Sequence, residues 1–461
     1  MNVLELLSNE ERNDSSSWTI QYSEARGRGI FANKDIKKGE IIFVDYPLLI
    51  GPRTGSDRVF CIICFSLNNI RACSKNCGLP LCSEACENSS VHVSECEFIL
   101  SRSKEFFTQI RFDIIRSLTP LRGLLLNNKQ IQLLKLLKSH QGLHHGFEVN
   151  IAKKHLRIND DEEVLMHSIC SILDTNTFEV IVGEKSDDLS VRALYPLSSM
   201  LNHSCTSNIT HYFDSHQKMI IKASVPIRKG EEICHSYTKI FWGTCVRQPY
   251  LQQTKHFSCD CSRCQDPTEC GSNLCAINCF NCGGAVLPMY KPNVSVTWRC
   301  VSCNSVMPAK LVGVVLAILG SRLNSLLSAD PIQIFKFMKS QLPKYAPMSN
   351  HVAVQLKCRL VWLLGYQKNY LWNDLTDELL REKEDMCREL LKLLEMLRAG
   401  QNKMRGLILY ELYCCLQEWN RRNHQTGEHK ALFEEAKEIL KDDVYAPQEI
   451  KNFWVLNGSE P

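Results

Sequence analysis

The chain has 461 residues, 44% of them hydrophobic and 23% charged; these proportions exclude wholesale disorder, and the length predicts roughly two to four domains. Its 54 basic and 50 acidic side chains leave a net charge of +4, too dilute to make nucleic acid or an acidic membrane an obligate partner. The longest apolar run, Leu311 to Gly320, is about half a bilayer span, and the start MNVLELLSNEERNDSSS carries acids where a signal peptide needs a basic start and an apolar centre. A soluble intracellular protein is therefore expected, and its 24 cysteines need an explanation other than disulfides. Seven lie between Cys61 and Cys96 and nine between Cys259 and Cys303, a clustering that points to metal.

From Trp18 to Ile50, alternating and β-branched residues interrupted by ARGRG (Ala25–Gly29) and KKGE (Lys37–Glu40) predict short strands joined by turns. Met219 to Tyr237 is built alike: Ala32-x3-Ile36-x-Lys38-Gly39-Glu40 is matched by Ala223-x3-Ile227-x-Lys229-Gly230-Glu231. Two similar turn-and-strand units thus belong to one β domain that the blocks between them interrupt. The first block, Cys61-x2-Cys64-x8-Cys73-x3-Cys77-x4-Cys82-x3-Cys86-x5-His92-x3-Cys96, offers eight soft ligands in four pairs, enough for two tetrahedral zinc sites. So short a segment cannot build an adequate apolar core, and metal would supply on the order of 10 kcal/mol of folding free energy per site. The second block, Glu97 to about Ser171, carries the i, i+3, i+4, i+7 spacing of a helical insert.

Three polar features lack a packing reason: Arg26-Gly27-Arg28-Gly29, whose glycines let the backbone approach a ligand closely, Asn202-His203-Ser204-Cys205, and Tyr237 at the end of GEEICHSY. Taken singly, each is weak and reads more readily as a turn, a cap and a core residue respectively. In FSCDCSRC, Cys259, Cys261 and Cys264 need a fourth ligand. Cys205 is the candidate, and the alternative is an outside residue with Cys205 a core thiol. Cys279-x2-Cys282-x17-Cys300-x2-Cys303 has zinc-ribbon spacing. Cys270 and Cys275 are surplus to these sets and read as buried or free thiols; Cys170, Cys234, Cys245, Cys358, Cys387, Cys414 and Cys415 read as small hydrophobes. Beyond Pro308, long amphipathic patterns predict antiparallel helix pairs, with Lys310, Arg322 and the charged run Asp377–Lys392 on solvated faces.

In this order, these motifs closely resemble the SET and MYND domain family of protein-lysine methyltransferases over essentially the whole chain, and the ribbon looks most like its arthropod branch. The resemblance implies an α+β fold: a split β-rich SET domain with an inserted MYND zinc finger and a helical insert, a post-SET zinc site, a zinc ribbon and an all-helical, tetratricopeptide-like C-terminal domain. The corresponding ranges are 18–60, 61–96, 97–171, 172–240, 241–268, 269–305 and 306–461. It implies methyl transfer from S-adenosylmethionine to a lysine of a histone or non-histone protein, by a monomer with four zinc ions, in cytoplasm and nucleus. The MYND finger is expected to take proline-containing peptides, with no membrane and no strong nucleic-acid partner.

By the same resemblance, Arg26, Gly27, Arg28 and Gly29 hold the methionine end of the cofactor, Asn202 and His203 its adenosine and amino group, and Phe257 packs on adenine. Asn176 is a further contact, and Tyr237 lines the cofactor site as the catalytic tyrosine. Where family members have a second tyrosine two residues before the Phe, this chain has Lys255. An alternative of a different class is a scaffold with little turnover, acting as a protein-binding transcriptional repressor adaptor.

Overall fold

The computed structural model describes residues 17–24, 26–53, 55, 57–139, 146–182, 189–291, 294–424 and 429–451. The acidic start up to residue 16, Ala25 of the ARGRG loop and the tail 452–461 of the expected C-terminal domain lie outside them.

The two similar units fold as partners of one another. Ile36 and Ile227 exchange both backbone hydrogen bonds, at 2.8 and 3.0 Å. The Gly39 N–H donates to Ala223 O, the Gly230 N–H donates to Ala32 O, and each glycine has a left-handed backbone, φ 82° and 84°. Each turn is closed in the same way, by a glutamate accepting from a backbone N–H three residues before it, Glu40 from Lys37 and Glu231 from Arg228. A local two-fold relation therefore stitches together the halves of the split β domain.

From this junction run small sheets. One orders Trp18–Ser23, Gly27–Ala32, Glu232–His235 and Asn202–His203; a second orders Ile209–Phe213, Met219–Ala223 and Ile41–Asp45; a third orders Leu49–Gly51, Leu189–Leu194 and Thr177–Val182. They share one core, with Ile30, Ile36 and Phe43 from the first half and Val180, Val191, Ile221 and Ile233 from the second.

The cysteine finger is not a free-standing module. Its Ile62, Leu79 and Leu81 pack in one core with Phe107, Ile114 and Leu118 of the helical insert. Within that insert the helices Asn128–Lys135 and Asp160–Asn176 each begin with a capping box, from Asn127 with Gln130 and from Asn159 with Glu162.

The ribbon strands share an apolar core with the C-terminal helices, Val286 and Trp298 packing with Val315, Leu360 and Leu390. Helix Ala309–Leu326 is, by length and composition alone, apolar enough to cross a membrane, more than its longest apolar run suggests, yet it buries Val312, Val315, Leu319 and Leu323 in that core. The expectation of a fully solvated face over Asp377–Lys392 fails at Lys383. This lysine is fully buried, paired with Glu411 at 2.7 Å and set 4.3 Å over the Trp372 ring, because the facing helix supplies a carboxylate that compensates the charge. The helices dock back onto the β domain: Tyr212 Oη donates to Ile439 O, Tyr445 Oη to Ile181 O, and Gly400 lies so close to the Ser224 carbonyl that a Cβ there would strike it.

Candidate functional site

Among the described residues, four groups of Cys and His have ligand atoms within 4.8 Å of one another: Cys61, Cys64, Cys82 and Cys86; Cys73, Cys77, His92 and Cys96; Cys205, Cys259, Cys261 and Cys264; Cys279, Cys282, Cys300 and Cys303. Zn–S bonds of about 2.3 Å separate the corners of a tetrahedron by about 3.8 Å. The sulfurs of Cys73 and Cys96 are 3.8 Å apart, those of Cys205 and Cys259 3.8 Å, and those of Cys279 and Cys303 3.7 Å, so the donors fit zinc in both spacing and chemistry. In the finger the first ligand pair joins the third and the second joins the fourth, an interleaving that spacing alone leaves open. His92 Nδ1 is bonded to Glu87 O at 2.6 Å, which turns Nε2 toward Cys77 Sγ and leaves it for the metal. Elemental analysis of the purified chain is expected to return four zinc ions; two or fewer would rule this out.

The third group joins two distant parts of the chain. Strand Asn202–His203 runs parallel to Glu232–His235, with His203 opposite His235, and so sets the Asn202–Cys205 loop against Tyr237. His203 Nδ1 accepts from the Tyr237 N–H at 2.9 Å, while Nε2 faces Cys205 Sγ at 3.2 Å. Burial lowers the His203 pKa to about 4, so the ring is neutral, with its single hydrogen on Nε2 pointing at the sulfur.

Behind the thiols lie residues that sequence reasoning missed. Arg247 Nε donates to Cys205 Sγ at 3.1 Å, and Arg247 and Arg263 both pair with Glu269, all three buried. Four thiolates on one zinc carry an excess negative charge, and these guanidiniums offset it. The only sequence cue was Arg263 inside FSCDCSRC.

Around this junction is a cavity of about 370 Å³. Of the nine expected cofactor residues, Arg26, Arg28, Asn176, Asn202, His203, Tyr237 and Phe257 line it, whereas Gly27 and Gly29 do not. The close neighbours of Gly29 lie inside the protein: a Cβ would meet Glu232 Oε1 at 2.6 Å and Asn202 Nδ2 at 2.8 Å, so those side chains would have to shift. Arg26 reaches Asp260 at 2.9 Å and Glu232 at 3.3 Å, and Arg28 donates to Leu136 O. Asn176 Nδ2 donates to Lys138 O and Ile172 O, and Asn202 Nδ2 to Arg28 O and Glu232 Oε1, so each amide keeps its carbonyl oxygen for a ligand.

Tyr237 Oη donates to Leu201 O at 2.6 Å, and burial holds the phenol well above its ordinary pKa, hence protonated. Its ring lies 5.1 Å from that of His203 and 6.4 Å from that of Phe257. A second cavity, about 670 Å³, opens between the β domain and the C-terminal helices; His235, Ser236 and Thr238 line it on either side of Tyr237 in the chain. His211 and His235 stand 5.0 Å apart on its wall, and burial lowers the pKa of both, so they present neutral imidazoles.

The SET domain profile matches residues 27–238. The SET domain-containing protein SmydA-8, isoform B, of Drosophila melanogaster is 32% identical over 87% of this chain and 92% of its own length. The histone-lysine N-methyltransferase ASHR1 of Arabidopsis thaliana is 27% identical over 52% of this chain and 53% of its own. Among solved structures, the SET domain of LSMT bound to lysine and AdoHcy aligns with 99% of this chain and 96% of its own at 12% identity, with a TM-score of 0.31 that is too low to locate any residue. An SmydA relative 32% identical over 87% of this chain, a SET profile spanning both halves of the β domain and an interleaved eight-ligand finger between those halves make this chain a member of the SET and MYND domain family.

Proposed function

We propose that this chain is an S-adenosylmethionine-dependent protein-lysine N-methyltransferase, acting on a lysine of a histone or non-histone protein. The observation that carries the reading is the position of Tyr237 between two cavities. Its ring lines the smaller one, with Arg26, Asn176, Asn202, His203 and Phe257, while its neighbours in the chain line the larger cleft, open to a protein segment.

When bound, S-adenosylmethionine supplies a methyl group made electrophilic by its sulfonium. The groups here suit such a ligand: cationic Arg26 and Arg28 for a carboxylate, the two amide oxygens of Asn176 and Asn202 for amino and ribose hydrogens, and the Phe257 face for a flat base. On the other side, the amine must arrive neutral, and removing its proton at pH 7 costs roughly 4–5 kcal/mol from a lysine pKa near 10.4. The Tyr237 hydroxyl, fixed by the hydrogen bond it donates to Leu201 O, keeps an acceptor lone pair that orients the amine's N–H bonds and so its lone pair. Since the phenol stays protonated, Tyr237 positions and polarises, and the amine's proton leaves to solvent.

The adaptor alternative is the less favoured, because Arg26, Arg28, Asn176, Asn202, His203, Tyr237 and Phe257 converge on one cavity, which binding a partner through the finger would not require. Incubating the zinc-replete chain with methyl-labelled S-adenosylmethionine and a cell extract is expected to give a labelled protein band. An extract without one, from protein that also fails to bind the cofactor in calorimetry, would overturn the reading.

A further inference from the structure

The helix Thr244–Lys255 ends on a lysine whose side chain reaches into the smaller cavity. Lys255 lines it beside Thr175, Asn176, His203, Tyr237 and Phe257. Its Nζ stands 5.5 Å from the centroid of the Tyr237 ring and donates to the Thr175 carbonyl in the last turn of helix Asp160–Asn176. Directly after it, His256 takes a left-handed conformation, φ 57°, that stops the helix, so Lys255 is presented from a fixed helix end. Burial pushes its amine below the ordinary lysine range, against the pull of Asp174.

Together they supply what an amine needs in order to attack: a lysine stem in the cavity, partial withdrawal from water, and a carbonyl, Thr175 O, that holds one N–H and so orients the lone pair, beside the face of Tyr237. A lysine serving only as a tether between the two helices would need the Thr175 bond and the negative end of the helix dipole, and would have no need to line the cavity or to lie over Tyr237.

We propose that Lys255 is a modification site of the enzyme itself: without a protein substrate it acts as an internal pseudosubstrate and is N-methylated in cis. The inference rests on the methyltransferase reading above. Lys255 first loses one proton to solvent. Its Nζ lone pair then forms an N–C bond to the sulfonium methyl carbon as the S–C bond breaks and leaves its electron pair on sulfur, giving N-methyllysine and a thioether. The modified amine keeps its charge at neutral pH but exchanges an N–H for a methyl beside Tyr237, which changes the room and the hydrogen bonding offered to an incoming amine.

The test uses the purified, zinc-replete full chain and methyl-labelled S-adenosylmethionine with no other protein, followed by proteolysis and tandem mass spectrometry. One added methyl is expected on the peptide carrying Lys255. The fraction labelled per unit time should stay constant through a dilution series, as a reaction within one chain requires. Lys255→Arg, which keeps a cation able to reach Thr175, should lose the label, and Tyr237→Phe should slow it. An unmodified Lys255 in a preparation that does label extract proteins overturns this proposal and leaves the methyltransferase reading standing. A labelling rate that rises with protein concentration, or label undiminished in Lys255→Arg, also overturns it. A preparation that labels neither itself nor the extract overturns both.

Discussion

Replacing Tyr237 by phenylalanine is expected to slow methyl transfer about a hundredfold, the usual scale for removing one preorganised hydrogen-bonding group from an active site. Cofactor affinity and zinc content should stay near those of the parent chain. Phenylalanine keeps the ring that packs against His203 and Phe257, and the Tyr237 backbone N–H still donates to His203. What disappears is the hydroxyl, held 2.6 Å from Leu201 O. The bare carbonyl costs about 1–3 kcal/mol of stability if it finds no water, which a thermal melt would register as a modest shift. The orienting role of the phenol is exercised mainly when the amine attacks, so the loss should fall on kcat, with little change in cofactor Kd. The phenol is held protonated, so the parent's rate should show no loss as pH rises through neutrality, where more of the substrate amine becomes neutral. Equal rates for Tyr237→Phe and parent would remove Tyr237 from the reaction.

How far the sequence announces this site depends on the distance over which each feature acts. The zinc ligands are legible because a tetrahedron needs closely spaced thiols, and the chain supplies them in pairs. Which pair joins which is not, because the interleaving in the finger is set by the path of the chain between Cys64 and Cys82, packed on insert helices distant in sequence. The two Ala-x3-Ile-x-Lys-Gly-Glu units are visible as a likeness, but likeness does not announce that Ile36 will pair with Ile227; only the closed fold reveals the two-fold junction. Arg247, Arg263 and Glu269 stay hidden for an electrostatic reason. Charged residues read as solvent-facing, and burying these three makes sense only beside four thiolates assembled from parts of the chain more than fifty residues apart. Lys383 misleads in the same way, since its partner Glu411 lies one helix further on. Gly29 was legible as a place where something comes close, but not as to what: its near neighbours are Asn202 and Glu232, not a ligand.

The same electrostatic argument predicts the largest effect of any single substitution here. Cys205→Ala should reduce the zinc content from four to three and abolish S-adenosylmethionine binding together. Cys205 Sγ lies 3.5 Å from that of Cys264 and 3.8 Å from that of Cys259, so alanine removes one of four ligands of a closed site. Without the metal the remaining thiols protonate, and Arg247 and Arg263, both fully buried, are left with Glu269 as their only carboxylate partner among the described residues. An uncompensated buried charge of this kind costs about 3–5 kcal/mol, a large share of the stability of an ordinary domain. The Asn202–Cys205 loop would then lose its anchor. His203 would lose the acceptor of its Nε2–H and with it the orientation that lets Nδ1 accept from the Tyr237 N–H, while Asn202 and Phe257 leave the cavity wall. Cys279→Ala is the matched control: it also removes one ligand of one zinc, but its site packs against the C-terminal helices and contributes nothing to either cavity. It should lose one zinc and keep cofactor binding. Metal analysis and calorimetry on the two variants separate a structural zinc from one that holds the active site. Four zincs retained in Cys205→Ala would strike Cys205 from the ligands, and cofactor binding retained with three would show that the loop stands without its metal.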